Sequence, residues 1–139
     1  MFKRDVELEL LPYCAEHEIG VVVYSPLQKG LLAGKFSAER AASLPDDDHR
    51  RNDPMFAEPQ LSVNLAAVEK LKVIAGRLGI TPAQLAISWT LRCSEVTSAI
   101  VGARRASQID ETIEAGDLTL SDDIIEEIEE VLREREEGL

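Results

Sequence analysis

Cysteine, histidine, aromatic side chains and long apolar runs are all scarce in this sequence, and each scarcity removes a class of protein. Two cysteines, Cys14 and Cys93, cannot form a disulfide framework across 139 residues. No basic stretch leads into an apolar run at the start, and no apolar run reaches membrane-spanning length. The reading is a cytoplasmic protein in a reducing setting. Aromatics make up only 4 % of the chain, so its core must come from Leu, Ile, Val and Ala, for which an apolar content of 45 % suffices. Positive charge is also in deficit, with 15 Lys and Arg against 26 Asp and Glu. A net charge of -11 excludes a generic polyanion-binding surface, and neither a nucleic-acid nor a membrane partner is expected. A local anion site stays open, because a few donors are enough for one phosphate.

Several chemistries lack their signatures. There is no Gly-x-Gly-x-x-Gly turn and no Walker sequence. Ser25 has no evident histidine partner for a nucleophilic triad. His17 lies in a helical pattern, and His49 follows Asp46, Asp47 and Asp48 in a loop without fixed ligand spacing. No metal site and no catalytic residue is assigned.

What is present is an α/β rhythm. Val6, Leu10, Tyr13 and His17 recur at helical spacing, with Pro12 splitting the element in two. Gly20 stops it, and Val21–Tyr24 is a short β-branched run that reads as a fully buried parallel strand. A long connection, residues 25–60, follows, with its Ala41–Glu58 part expected to be the least ordered. A helix over 62–78 ends at Gly79. The next has unusually complete start signals: Thr81 as cap, Pro82 at the first position and Gln84 closing a capping box. Ser98–Val101 is the second strand, and a helix over 106–115 runs to Gly116. Ser121 is the expected cap of a final acidic helix with the stripe Ile124, Ile128, Val131 and Leu132. So many amphipathic helices exceed what two strands can cover. The chain therefore pairs with copies of itself or belongs to something larger.

Two strand ends offer ligand chemistry, because groups just beyond parallel strands lie where α/β folds bind ligands. After the first come Tyr24, Ser25, Leu27, Lys29 and Gly30. Tyr24 reads either as a platform for a flat heterocycle or as a core aromatic with its hydroxyl paired. After the second come Gly102, Ala103, Arg104 and Arg105, opening a helix that carries Gln108 and Glu111. Two guanidiniums at a helix start suit phosphate oxygens, or they balance surface carboxylates.

The runs Val22–Phe36, Glu9–Cys14, Thr81–Ala86 with Trp89, and Ala99–Arg105 continuing to Gln108 and Glu111 occur in the order found in aldo/keto reductases. The chain resembles the C-terminal part of that family over essentially its whole length. The resemblance implies a partial (β/α)8 TIM barrel, one truncated domain over 1–139 containing the last two barrel strands and their helices. Residues 28–60 would form a long loop covering the cofactor. It implies NADPH as cofactor and, for the parent family, reduction of aldehydes and ketones to alcohols. Tyr24 would stack on the nicotinamide, and Ser25, Leu27 and Gly30 would line the pyrophosphate passage. Arg104 and Gln108 would hold the adenosine 2'-phosphate, and Glu111 would approach the adenine. Thr112 stands where the family usually has asparagine. The family's catalytic Asp, Tyr, Lys and His belong to the first half of the barrel, so the chain is expected to be inactive alone. Its partner would be the missing barrel portion or further copies of itself. The alternatives are a self-associating structural remnant and a non-catalytic nucleotide-binding module.

Overall fold

A computed structural model describes all residues from Met1 to Leu139. The first helical stretch divides as its proline demands, into a 3-10 turn at Asp5–Glu7 and helix α1, Leu10–Glu16. Pro12 falls in the first turn of α1, where a missing N–H costs no intrahelical bond. The face that α1 buries is not the expected one. Leu11 and Cys14 are buried, whereas Val6, Leu10 and Tyr13 are exposed. Tyr13 instead stacks on His17, with ring centroids 4.1 Å apart.

Strand β1, Val21–Tyr24, pairs in parallel with β2, Val96–Ile100, and these two form the whole sheet. Val22 lies opposite Ser98, Val23 opposite Ala99 and Tyr24 opposite Ile100. The register is irregular between Val21 and Val22, where Thr97 Oγ1 accepts the Val21 N–H at 3.1 Å. β2 thus begins before the expected Ser98 and stops short of Val101. The structure is a mixed α/β fold with two parallel strands, a partial barrel and not a closed one.

The expectation of a fully buried β1 is corrected. Val21 and Val23 are half-buried, but Val22 is 56 % and Tyr24 81 % exposed. With Ile100 they make an open apolar sheet face. A parallel strand is buried on both faces only when structure covers each of them. Here α4, Pro82–Leu91, packs on one side and nothing in the chain covers the other.

The connection after β1 is organised into short helical turns. A 3-10 stretch, Gln28–Ala33, is followed by α2, Ala38–Ala42, and by 3-10 turns at His49–Asn52 and Pro54–Phe56. Leu31, Leu32, Leu44, Met55 and Phe56 bury and pin it to the body. The 41–58 stretch expected to be least ordered therefore has defined anchors.

The core lies among helices and this loop, not against the sheet. Val68, Leu71 and Ala75 of α3, Gln60–Arg77, meet Leu85 and Trp89 of α4 and Ile128 and Leu132 of α6, Asp122–Glu137. Between α3 and α4, Gly79 turns the chain at φ 71° and the predicted capping box forms. Thr81 Oγ1 accepts from Gln84 N at 3.2 Å, and Gln84 Oε1 accepts from Thr81 N at 2.8 Å. Ser121 precedes α6 as expected but makes no side-chain cap bond. Both polar atoms of the buried Asn64 side chain are engaged: it donates to Met55 O at 2.9 Å and accepts from Arg135 Nε at 2.6 Å.

Candidate functional site

Parallel pairing sends β1 and β2 out of the sheet at the same end. The turn after β1 and the turn before α5, Ala106–Ile113, therefore face a common space. That space is an open cleft of about 940 Å³. Ser25, Leu27 and Gly30 line it from one side, and Arg104 and Gln108 from the other. Five of the seven residues that the resemblance assigns to the cofactor thus come together. Tyr24 and Glu111 do not line the cleft: Tyr24 lies on the open sheet face, and Glu111 is half-buried further along α5.

The β1 turn has an unusual backbone. Ser25, Gln28 and Lys29 adopt φ of 56°, 46° and 56°, and Gly30 follows at 94°. Left-handed backbone at a non-glycine residue costs on the order of 1 kcal/mol, and such strain concentrates at ligand-binding turns. It persists here because the loop is held from several sides. Lys29 Nζ binds Asp53 Oδ2 at 2.7 Å, and Arg50 grips Asp48 through Nε at 2.9 Å and Nη2 at 2.6 Å. Hydrogen bonds from the Arg50 side chain and backbone hold the Asp48 carboxyl well below the usual carboxylate range. Arg51 Nη1 donates to Leu44 O at 2.8 Å.

Charge accounting singles out the cleft. Of the chain's 15 lysines and arginines, most are ion-paired. Lys3, Lys35, Arg40, Arg104, Arg105 and Arg135 are not. Lys35, Arg40 and Arg104 all line the cleft, and Arg105 adjoins it. In a chain of net charge -11, unneutralised cations gather around one opening, which also contains the Asp47 carboxylate. Sequence reading gave Lys35 and Arg40 no role. Their signal is visible only when each cation is matched to its carboxylate in space. His49 also lines the cleft, at 4.0 Å from Asp48, and no three His, Cys, Asp or Glu side chains converge as a metal-binding group.

At the start of α5 the usual short capping side chain is missing. Arg105 occupies the cap position without a side-chain cap bond. Gln108 reaches back instead, and its Oε1 accepts from Arg104 N at 2.8 Å and Arg105 N at 3.1 Å. Thr112 Oγ1 in turn donates to Gln108 O at 2.7 Å. The hydroxyl that replaces the family's asparagine is therefore engaged within α5.

Residues 1–133 match the model of the aldo/keto reductase family. A probable voltage-gated potassium channel subunit beta of Arabidopsis thaliana is 38 % identical over 141 aligned positions, covering 97 % of this chain and 42 % of that protein. A probable aldo-keto reductase of Glycine max is 33 % identical, covering 95 % of this chain and 37 % of its own length. Among solved structures, a glycerol dehydrogenase from Gluconobacter oxydans superposes with a TM-score of 0.88 at 31 % identity, covering 96 % of this chain and 40 % of that one. The chain spans well under half the length of each of these proteins. No helix is long and apolar enough to cross a membrane.

Proposed function

The chain belongs to the aldo/keto reductase family, and from that premise we propose that it carries the nucleotide-binding part of an NADPH-dependent carbonyl reductase. The observation that supports this most directly is the gathering of the unpaired cations Lys35, Arg40 and Arg104 around one cleft of an acidic chain. A dinucleotide with an additional phosphate is the kind of anion such a cleft suits, by charge and by size. When bound, NADPH supplies hydride to a carbonyl carbon. The chain's own residues do the holding. Ser25, Leu27 and Gly30 would hold the pyrophosphate and Arg104 and Gln108 the adenosine 2'-phosphate, while Tyr24 and Glu111, which lie outside the cleft, are given the nicotinamide and the adenine by the resemblance alone.

Reduction also needs a group that protonates the developing alkoxide. The resemblance assigns that group and its supports to the first half of the barrel. Turnover by this chain alone is therefore not expected, and reductase activity belongs to an assembly that completes the barrel. A second reading, a self-associating remnant, is favoured by the open face of Val22, Tyr24 and Ile100 and by the two unpaired strand edges.

Calorimetric titration with NADPH separates these readings. Saturable binding is expected. Arg104→Ala should weaken it about tenfold or more, the loss of a charge-assisted bond of roughly 1.5–3 kcal/mol. NADH should bind more weakly than NADPH and respond less to the substitution. An isotherm without saturation at millimolar NADPH would overturn the nucleotide reading and leave the self-associating remnant.

A further inference from the structure

Two buried polar groups lie behind the cleft rather than in it. Asn64 of α3 is fully buried, and Arg135 of α6 is 6 % exposed, with its guanidinium over the Phe2 ring at 4.1 Å. We propose that Asn64 is a positioning residue of the cleft: it seats the turn at Met55 behind the strained turn that follows β1, and Arg135 fixes the direction of the amide that does so. The proposal rests on the nucleotide reading for its ligand and on buried hydrogen bonds for its mechanism.

The direction of the Asn64 amide is forced. Arg135 Nε can only donate, so it takes Oδ1, at 2.6 Å, and Met55 O can only accept, so it takes Nδ2, at 2.9 Å. A reversed amide would set donor against donor and acceptor against acceptor, out of reach of water.

The turn that Asn64 holds carries one wall of the cleft. Asp53 Oδ1 accepts from Met55 N at 3.1 Å, and its Oδ2 accepts from Lys29 Nζ at 2.7 Å. Gln28 Nε2 donates to Met55 Sδ at 3.0 Å. Phe56 meets Phe36, which lines the cleft, edge to face at 5.1 Å. Gln28 and Lys29 are two of the left-handed residues, at φ 46° and 56°, and Leu27 and Gly30 on either side of them line the cleft. Such backbone persists only where its surroundings hold it. Burial of Met55 and Phe56 draws the 53–56 turn inward but has no direction of its own, whereas the bond from Asn64 does.

Two measurements on the 139-residue chain test the proposal. The first needs no nucleotide. Asn64→Asp keeps the shape and the acceptor for Arg135, but its carboxylate has nothing to donate to Met55 O. Amide hydrogen exchange at Gln28, Gly30 and Met55 should be about tenfold or more faster in this variant, with the interior amides of α3 and α4 unchanged. Equal exchange at those three amides in variant and wild type would overturn the proposal. So would a uniform acceleration throughout the chain, or a variant that fails to fold, because either would make Asn64 a general support of the core. Gln28→Met cuts the same path from its half-buried outer end. It should speed the Gly30 amide about fivefold alone and less than about twofold when added to Asn64→Asp. Effects that multiply in full would show two independent supports and would overturn the relay.

The second is calorimetric titration with NADPH and NADH. Asn64→Asp should weaken both about five- to tenfold, because the Leu27–Gly30 wall serves the pyrophosphate that the two nucleotides share. A loss confined to NADPH, or wild-type affinities in a chain whose turn exchanges faster, would overturn the role in binding. If the wild-type chain binds neither nucleotide, the nucleotide reading and the ligand half of the proposal fall together, and the exchange experiment alone decides whether Asn64 seats the turn.

Discussion

Around Trp89 four charged side chains close a ring. Arg4 and Arg92 lie over the indole, 5.1 and 3.4 Å from its centroid. Glu7 accepts from Arg4 at 2.9 Å and from Arg92 at 3.1 Å, while Glu129 accepts from Arg4 at 2.5 Å. Burial alone would raise the Glu7 pKa, but the hydrogen bond from Arg4 and the charges of Arg92 and Arg4 outweigh it and lower the value. A carboxyl depressed in the folded state contributes stability above its ordinary value of 4.5 and loses it as pH falls through the folded value. Thermal unfolding should therefore show Glu7→Gln less stable than wild type by about 1–2 kcal/mol at neutral pH. That gap should close as pH drops below the ordinary value. Equal melting temperatures at neutral pH would mean that the ring contributes nothing. None of this was legible in the sequence, because Glu7 and Arg92 are 85 positions apart and Arg4 and Glu129 are 125 apart. Gln108 was legible as a candidate, but not the turn of its Oε1 toward the Arg104 and Arg105 amides, which depends on where β2 ends.

At the scale of elements, the most local signals were the most readable. Thr81, Pro82 and Gln84 specify a helix start through atoms within four residues, and the capping box forms as predicted. Ser121 satisfies the same rule of composition yet makes no cap bond, so residue type permits a cap without guaranteeing its rotamer. Thr81→Ala should cost about 1 kcal/mol, visible as a fall of roughly 4 °C in Tm. An unchanged Tm would show that Pro82 and tertiary packing suffice to start α4. Packing at this point is close. A Cβ on Gly34, at φ 74°, would lie 2.9 Å from Pro82 Cγ, so the end of the cleft's first turn rests directly on the start of α4. The strands show the opposite case. Val21–Tyr24 was recognisable as β structure from its branched residues, but its exposure was not, because burial of a parallel strand is a property of its neighbours.

For the molecule as a whole, two features stand in tension. The helices and the 25–60 loop build a continuous core, while the sheet contributes no residue to it. Val22, Tyr24 and Ile100 form an apolar face on a sheet with two free edges, flanked in sequence by the exposed Leu10, Tyr13 and Ile19. Such surfaces mark places where other structure packs. The isolated chain is expected to self-associate, with a light-scattering mass that rises with concentration above the 15.3 kDa of one chain. Val22→Lys should return it toward that value. A constant 15.3 kDa for wild type at every concentration would rule out self-association and leave a separate barrel portion as the partner. The partial barrel and the shared mouth of its strands were legible in sequence because the blocks of residues occur in order. What covers the open face was not, because the contacts that would bury it are made by residues outside these strands.

The indole held by that ring of charges is also the chain's single tryptophan, 1 % exposed, with its N–H unpartnered. Its environment depends on Arg4 from the start of the chain and Arg92 from the end of α4, which meet only in the folded state. The protein therefore carries its own optical gauge: one emitter, free of interference from any second tryptophan, whose colour reports whether the two ends of this clamp are closed.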